Sequence, residues 1–424
     1  MGGNLSKLHE YLKNQESLIT SAVEGKTLLD FIDRNANEYP DHPALNSPAN
    51  AEYSAWDSIS WSEYRETSKN LAAGLMTLGL GPGDTAFIMS NNTKEHNIAD
   101  LGIVYSGATP STLYKQLKYS QIEYVANLMD AKVAVVGDLE LFEEVNKAKK
   151  DCINLNAIVL IDGYEEKKDL DYVYSYHELI EKGKSINSED SSKLDSAIAT
   201  VKPDSLACLI FTSGTTGKPK GVMISHKNVL WTIESLFGQM IPATKFPRIV
   251  SYLPMAHIAA RAGDHYQAIY RIGQIFPVPV LEDMRDALPT IKPSVFLAVP
   301  RVWEKFKAGL EARIEENPKK DLIAKAIQNG LEKVDYEQKG ESVPFMVGLK
   351  DKIFAKLVFS KFKEGLGIVD TEYFVTAAAP MNKDVHRWFH AIGIDVTEIY
   401  GMTEDTGPAT IGVPGNAVES LKKD

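Results

Sequence analysis

Apolar, often β-branched runs a few residues long alternate with amphipathic segments along most of this chain, and this alternation constrains its fold more than any other feature. Runs with the character of buried strands lie at 86–89, 133–136, 158–161, 206–211, 249–253, 295–299 and 373–376. Between many of them apolar residues recur at helical spacing, as in segment 62–78, which Gly79 and Gly81 follow. Strands that alternate with such helices predict an α/β fold with mainly parallel sheets.

The same alternation divides the chain into two parallel-sheet α/β subdomains, which we expect at 28–180 and 203–408. The polar stretch 181–202 lacks apolar periodicity and predicts a surface linker between them. We expect an N-terminal extension at 1–27 and an atypical tail at 409–424.

A long charged helical segment, 300–367, belongs to the second predicted subdomain. Its two apolar stripes are Trp303, Phe306 and Leu310, and Ile353, Leu357 and Val358. Packing against a sheet face is the favoured interpretation of both stripes, and a partner-helix role is the alternative.

Composition bounds the function. With 57 acidic and 46 basic residues the formal charge is -11, which argues against a general nucleic-acid binder. The chain has no run of about 20 apolar residues and no secretory signal, so we expect a cytoplasmic location, with peripheral membrane contact left open. Cys152 and Cys208 lack the spacing of a metal site and are expected to be reduced.

The N-terminus carries a short motif of a different kind. The sequence Met1-Gly2-Gly3-Asn4-Leu5-Ser6 fits the pattern for acylation of Gly2, although an ordinary polar start is the favoured interpretation of so short a pattern. Mass spectrometry of the mature N-terminus distinguishes the two.

A segment rich in glycine, hydroxyl groups and lysine follows the apolar run that ends at Phe211. It reads Thr212-Ser213-Gly214-Thr215-Thr216-Gly217-Lys218-Pro219-Lys220-Gly221. Glycines let backbone N–H groups turn toward an anion, and the lysines add positive charge, so the segment predicts a polyphosphate-binding loop. It is not a Walker A loop, because Pro219 follows the first lysine and the next helical pattern starts only near His226.

A second segment has the same design. After the run 373–376 come Ala377, Ala378, Ala379 and Pro380, then a predicted helix with Asn382 as its N-cap, then Tyr400-Gly401-Met402-Thr403-Glu404. The small residues leave room for a flat ring, and Tyr400 offers an aromatic face to it. Thr403 supplies a hydroxyl and Glu404 a carboxylate suited to Mg²⁺. Because ligands of open α/β sheets bind at the carboxyl ends of strands, both segments are predicted to face one crevice.

These two motifs resemble those of the adenylate-forming superfamily, which includes acyl-CoA synthetases, luciferases and the adenylation domains of nonribosomal peptide synthetases. The resemblance extends through 59–64 and 91–114 and covers the chain from about Leu28 to Pro408. Segments 251–257 and 299–305, together with 357–361, are similar to the long-chain or bubblegum-type fatty acyl-CoA synthetases.

The resemblance implies a role for each matching residue. The implied ATP-binding residues are Thr212, Ser213, Gly214, Thr215, Thr216, Gly217, Lys218, Lys220, Ala378, Ala379, Glu398, Tyr400, Gly401, Met402 and Thr403. Thr212 and Glu404 would bind Mg²⁺, and Thr403 would contact the α-phosphate. Thr403, Glu404 and His257 are the implied catalytic residues, with His257 beside the acyl carboxylate, although a structural histidine in the core is an equal alternative on general grounds.

The reaction that the resemblance implies is ATP-dependent activation of a long-chain fatty acid to acyl-AMP, followed by transfer to CoA. The partners are then the fatty acid, ATP and CoA, with Mg²⁺ as cofactor. Acyl chain length, the CoA site and the oligomeric state stay open.

The sequence departs from the family pattern after Glu404. The family continues with an aspartate that binds ribose, a hinge arginine and a mobile C-terminal domain with a catalytic lysine, and none of these has a match in the last 20 residues. We expect a truncated form that lacks the lid domain. The alternatives are a catalytically weak protein that binds nucleotide or acyl ligand, and a relative of the acyl-AMP ligases or luciferases.

Overall fold

The computed structural model describes residues 2–212, 217–241 and 244–412, with side chains from residue 13 onward. The chain forms two compact units. Unit 1 comprises Met1–Ala49, Trp56–Phe246 and Ser251–Leu281, and unit 2 comprises Asn50–Ala55, Pro247–Val250 and Glu282–Asp424. These bounds differ from the predicted subdomains, because segments distant in sequence join each unit.

The strands of the described residues are β1 (Pro43–Pro48), β2 (Trp56–Ser60), β3 (Thr85–Met89), β4 (Thr109–Thr112), β5 (Ala131–Val136), β6 (Ala157–Leu160), β7 (Val173–Ser175), β8 (Leu206–Thr212), β9 (Lys220–Ser225), β10 (Arg248–Ser251), β11 (Gln274–Pro277), β12 (Val295–Ala298), β13 (Tyr373–Thr376), β14 (Val396–Met402) and β15 (Gly407–Ile411). Each of the seven predicted strand runs coincides with one of these strands.

The helices are α1 (Gly2–Val23), α2 (Leu28–Glu38), α3 (Trp61–Met76), α4 (Lys94–Tyr105), α5 (Tyr119–Leu128), α6 (Leu139–Lys149), α7 (Tyr176–Glu189), α8 (Ser192–Ile198), α9 (His226–Ile233), α10 (Ile258–Ala260), α11 (Gln267–Arg271), α12 (Met284–Ile291), α13 (Pro300–Glu315), α14 (Lys320–Gln338), α15 (Phe345–Phe354), α16 (Ser360–Leu366) and α17 (Lys383–Ala391). Wider π-helical turns occupy Glu234–Met240, Arg261–Tyr266 and Ala355–Phe359. No helix of the described residues combines the length and the apolar content that crossing a bilayer requires.

Unit 1 contains a sheet with the strand order β7-β6-β5-β3-β4-β8-β9. Its strands are parallel except for β9, which runs antiparallel to β8. Helices pack on the sheet through wholly buried side chains such as Phe87, Phe142 and Ile158. A parallel sheet covered by helices is apolar on both faces, which explains why its strands were visible as continuous apolar runs.

The segment 181–202 is helical rather than an irregular linker. Helix α7 begins at Tyr176, with Ser175 as its N-cap, and α8 follows almost at once. Helix α7 packs closely on α3, where Gly183 lies against the backbone at Asn70. The apolar residues of this contact surface, Tyr176 and Leu179, precede segment 181–202. The polar composition of 181–202 therefore gave no sign of the helix.

Unit 2 contains strands in the order β10-β12-β13-β14-β15, parallel except for the antiparallel pair β14 and β15. Strand β15 extends into the predicted tail, so residues 409–411 belong to the folded unit. The fold of both units is mixed α/β with parallel-rich sheets, as predicted.

The charged helical segment packs as predicted for only one of its two stripes. Trp303 and Leu310 of α13 are buried, and Trp303 meets Phe296, Phe374 and Phe389 edge to face. Val358 is also buried, but Ile353 and Leu357 are exposed, so the packing prediction is wrong for them. Helical spacing reveals that a stripe exists and does not reveal what covers it.

Candidate functional site

The predicted phosphate loop connects the two strands of a hairpin in unit 1. Strand β8 ends at Thr212, and the antiparallel β9 returns from Lys220, so these two residues are direct cross-strand partners. Helix α9 starts at His226, capped by the Ser225 side chain, which accepts from the Asn228 N–H at 3.1 Å. A hairpin in place of an immediate helix agrees with the exclusion of a Walker A loop.

The described part of the loop is exposed and shaped by a glycine. Gly217 has a φ of +90°, a conformation that glycine adopts without strain. The Lys218 ammonium lies 5.5 Å from the centre of the Tyr124 ring, whose hydroxyl donates to the Pro219 carbonyl oxygen at 3.4 Å. Tyr124 therefore holds the base of the loop and one of its cations, a contact that the sequence did not indicate.

Four predicted ATP-binding residues lie outside the described residues: Ser213, Gly214, Thr215 and Thr216. Their roles stay predictions.

The predicted adenine segment follows β13 in unit 2. Strands β13 and β14 are parallel neighbours in which Thr376 pairs with Glu398, so the loop after Thr376 begins beside the second half of β14. The Met381 N–H donates to the Glu398 carboxylate at 3.4 Å, which ties the loop to that strand. Ala378 has a φ of +73°, an unfavourable conformation for a residue with a Cβ.

The motif from Tyr400 to Glu404 forms the end of β14 and a tight turn. Strand β14 changes register against β15 between Tyr400 and Gly401, and a Cβ on Gly401 would collide with the Gly407 carbonyl oxygen. Tyr400 is 69% exposed and Met402 is 48% exposed, so both side chains are accessible to a ligand. The chain thus exposes an aromatic face on β14, the strand that pairs with β13 just before the loop of small residues.

Thr403 and Glu404 lie in the 3₁₀ turn Thr403–Asp405, where Thr403 is buried and Glu404 is exposed. The described residues contain no cluster of three or more histidine, cysteine or acidic side chains that could hold a metal ion. One exposed carboxylate fits a magnesium ion that keeps most of its water and arrives with substrate phosphates, rather than a preformed metal cage.

His257 belongs to unit 1, at the start of the short helix α10. Its Nδ1 accepts from the Ala259 N–H at 3.1 Å, so the neutral ring carries its hydrogen on Nε2. Burial lowers the pKa of His257 below its ordinary value, which keeps the ring neutral near pH 7. A neutral histidine with an Nε2–H can donate a hydrogen bond to a carboxylate.

Polar side chains that the sequence did not single out hold the segment that precedes His257. The Asn92 amide donates to the Ser251 hydroxyl at 3.0 Å and to the Leu253 carbonyl oxygen at 2.8 Å. The Arg261 guanidinium donates to the Met255 carbonyl oxygen at 3.2 Å. The segment 251–257 is therefore fixed at three of its residues.

Arg261 itself is held by a wholly buried ion pair. Its guanidinium lies 2.8 Å from the Asp100 carboxylate and also donates to Thr112 and Tyr266. Burial opposes ionisation of Asp100, but the charge and hydrogen bond of Arg261, together with the nearby His265 and His96, outweigh burial and keep the pKa of Asp100 below its ordinary value. The sequence did contain a signal for this ion pair. Arg261 and Asp264, four and seven residues after His257, interrupt an otherwise apolar segment, which indicates buried charges.

The pair of histidines at helical spacing, His386 and His390, does not form a metal site with other described residues. His386 Nε2 bonds to the Val396 carbonyl oxygen at 2.6 Å, and His390 forms ion pairs with Glu337 and Asp395. Both histidines therefore bond to groups of unit 2.

Comparison with known proteins gives a consistent family. The model of the family described as AMP-binding enzyme matches residues 32–423. The long-chain-fatty-acid–CoA ligase ACSBG2 of Xenopus laevis is 32% identical over 92% of this chain and 52% of its own length. The ligase ACSBG1 of Rattus norvegicus is 30% identical over 85% of this chain and 50% of its own. The chain thus spans about half the length of these curated relatives.

Solved structures show the same fold. The anthranilate CoA ligase AuaEII in complex with anthranoyl-AMP superimposes with a TM-score of 0.67 at 16% identity, over 92% of this chain and 62% of that one. The N-terminal domain of FACL13 from Mycobacterium tuberculosis superimposes with a TM-score of 0.65 at 18% identity, over 93% and 80% of the two chains.

Proposed function

This chain belongs to the family of AMP-binding enzymes, and from that premise we propose that it takes part in activating a long-chain fatty acid with ATP, forming acyl-AMP for transfer to CoA. The observation that carries the proposal is that this one chain contains two motifs of the family, one in each unit. One is the glycine-rich, lysine-bearing hairpin loop between Thr212 and Lys220, and the other is the exposed Tyr400 on β14, which follows the loop of small residues in sequence. The ligase names of the curated relatives supply the choice of acid.

In the first step a carboxylate oxygen attacks the α-phosphorus of ATP, and the bond to the pyrophosphate leaving group breaks. Both reactants are anions, so the reaction needs positive charge and alignment rather than a covalent nucleophile. Lys218 and Lys220 supply charge, with loop backbone N–H groups as further donors. Tyr400 and the alanine loop would hold adenine, with Glu398 and Met402 at its edge.

His257 would bind the acyl carboxylate through Nε2–H. Its neutral state suits this role, because a donor orients the carboxylate without removing the electrons that it uses for attack. Mg²⁺, held by ATP phosphates with Glu404 and Thr212, would neutralise charge on the leaving pyrophosphate. In the second step the CoA sulfur would attack the acyl carbon as the thiolate, its proton having gone to solvent, and the bond from that carbon to the phosphate oxygen of AMP would break.

The charge of the loop gives the direct test. We expect Lys220→Ala to weaken ATP binding by roughly tenfold, as loss of one phosphate-binding cation does. Lys227→Ala is the matched control, because Lys227 is an exposed lysine on α9 just outside the loop. Titration with a fluorescent ATP analogue measures both, and equal affinity of the Lys220 variant would contradict the proposed phosphate site.

Turnover distinguishes the remaining alternatives. Release of pyrophosphate with ATP and palmitate, together with consumption of CoA, would support the ligase. Pyrophosphate release without CoA consumption would favour an acyl-AMP ligase or a luciferase-like relative. ATP binding without any pyrophosphate release would show that these 424 residues alone bind nucleotide and do not catalyse the reaction.

A further inference from the structure

An apolar strip on α15 and the turn after it faces solvent. The strip consists of Phe345, Met346, Leu349, Ile353 and Leu357, whose side chains are 79%, 56%, 40%, 47% and 61% exposed. Four of them are spaced four residues apart, which puts them on one face of the helix. The buried residues of the same region, Val347, Val358 and Phe359, lie on other positions of the helix and pack into unit 2. The strip is therefore not needed to attach the helix to its own unit.

Lysines border this strip. Lys352 and Lys356 each precede an exposed apolar residue of the strip, and Lys350 follows Leu349; all three are exposed. The segment 345–363 contains five lysines and one acidic residue in a chain whose net charge is -11. That acidic residue, Asp351, is already paired with Lys333, whose ammonium lies 2.9 Å from its carboxylate. The segment is therefore net positive even with the next residue, Glu364, included, and Lys350, Lys352, Lys356 and Lys361 are exposed.

A groove of about 620 Å³ extends from the end of the strip. Its walls include Leu310, Ile314, Leu322 and Leu357, and its basic side chains are Arg313, Lys319 and Lys361. None of the described residues that line it is acidic. Apolar walls with cationic side chains fit a molecule that has both a hydrocarbon part and an anionic part.

We propose that the α15 strip binds the surface of an anionic lipid bilayer, with its apolar side chains at the acyl boundary and its lysines among the head groups. A helix with an exposed apolar face bordered by lysines is the design of an interfacial helix. A second copy of this chain fits less well, because a symmetric contact would set the lysines of one strip against those of the other. Membrane binding by the strip is independent of acyl transfer.

Vesicle co-sedimentation of the full chain tests this surface. Vesicles of equal parts phosphatidylcholine and phosphatidylserine should bind the protein, whereas vesicles of phosphatidylcholine alone should bind it much more weakly. The double variant Ile353→Gln with Leu357→Gln should lower binding by roughly tenfold or more, because two apolar side chains no longer enter the interface. Lys352→Glu with Lys356→Glu should lower it at least as much and weaken its dependence on salt.

The control is Ile153→Gln with Val280→Gln, which removes two exposed apolar residues of unit 1 and should leave binding within about twofold. Hydrogen exchange adds a local readout, since vesicles should increase amide protection at 345–357 and leave 139–149 unchanged. Equal binding of the strip variant, or equal binding to both kinds of vesicle, would overturn the proposal. So would sedimentation velocity that shows a dimer dissolved by the strip substitutions together with no vesicle binding.

Discussion

Ala378 has a backbone conformation that its Cβ disfavours. Its φ of +73° lies in the left-handed region, which costs a residue with a Cβ about 1–2 kcal/mol. Glycine avoids that cost, but its greater conformational freedom in the unfolded chain lowers the free energy of unfolding by about 0.5–1 kcal/mol. We therefore expect Ala378→Gly to raise the free energy of unfolding by up to about 1 kcal/mol, measured by urea denaturation.

Ala379 is the matched control for Ala378, because it follows directly in the same loop and is not one of the described residues whose φ is positive. Ala379→Gly should lower the free energy of unfolding by about 0.5–1 kcal/mol. If both substitutions destabilise equally, the strain at Ala378 is absent. The ATP affinity of the Ala378→Gly variant should also be measured. Backbone strain often occurs at binding sites, and a lower affinity would show that the strained conformation supports nucleotide binding.

For single residues, the sequence predicted contacts between near neighbours in the chain, and it did not predict contacts between distant segments. Asn382 was predicted as the N-cap of α17, and its side chain accepts from the Asp384 N–H at 2.8 Å. That cap depends on residues within one turn of the chain. The contact of Tyr124 with Pro219 joins residues 95 positions apart in sequence, so no local pattern could reveal it.

Among the elements, the contact of α3 with α7 is unusually close. A Cβ on Gly183 would collide with the Asn70 carbonyl oxygen, and one on Gly74 would collide with the Leu179 carbonyl oxygen. Both obstacles are backbone atoms, which cannot move without separating the helices. We expect Gly183→Ala to lower the free energy of unfolding by about 1–3 kcal/mol, although alanine is the better helix former.

Gly309 in α13 provides the control for Gly183, because a Cβ there would meet no atom within 4 Å apart from its chain neighbours and the backbone of its own helix. Gly309→Ala should stabilise the chain by up to about 1 kcal/mol, following helix propensity alone. Urea denaturation of both variants gives the comparison. Stabilisation by both would show that the helices are farther apart than this structure has them.

The same contact explains which elements the sequence predicted. The strands of parallel sheets are apolar on both faces and were found, whereas α7 and α8 were taken for a linker because their composition is polar. Glycines such as Gly183 add to this difficulty, because glycine in sequence indicates a turn as readily as a close helix contact. The pairing of β1 with β2 and of β14 with β15 was missed for a related reason, since neither hairpin has a run of apolar residues.

For the whole molecule, histidines whose pKa values are shifted in opposite directions should contribute to how stability depends on pH. Burial lowers the pKa of three wholly or almost wholly buried histidines in unit 1: His96 to about 3, His226 to about 4 and His265 to about 4. Each protonates in the unfolded chain near its ordinary value of 6.5. Because the unfolded state then binds more protons, stability is full above about 6.5 and is lost as the pH falls toward 4.

This acid-side loss should amount to several kcal/mol in all, on the order of one to a few for each buried histidine. His226→Gln should lower the free energy of unfolding at neutral pH and flatten its decline in acid, because one of the three groups no longer takes up a proton on unfolding. The exposed His177 is the control, and His177→Gln should leave the profile unchanged. An unchanged acid slope in the His226 variant would contradict the assignment.

His390 in unit 2 should give the opposite slope on the alkaline side. Burial disfavours its charged form, but its contacts with Asp395 at 3.3 Å and Glu337 at 3.1 Å outweigh burial and raise the pKa of His390 to about 9. Its stabilisation is therefore full below about 6.5 and is lost as the pH rises through about 9. Taken with the acid-side groups, this predicts a stability maximum close to neutral pH.

The alkaline decline should be on the order of 1–3 kcal/mol, since the ion pairs are partly exposed. His390→Gln should remove it, and Glu337→Gln should reduce it, because the remaining carboxylate of Asp395 still favours the protonated ring. Thermal unfolding between pH values of about 6.5 and 9 measures both. If stability still declines undiminished with rising pH in the His390 variant, other groups must titrate in this pH range. The network of His390, Glu337 and Asp395 would then contribute packing and would not cause the pH dependence.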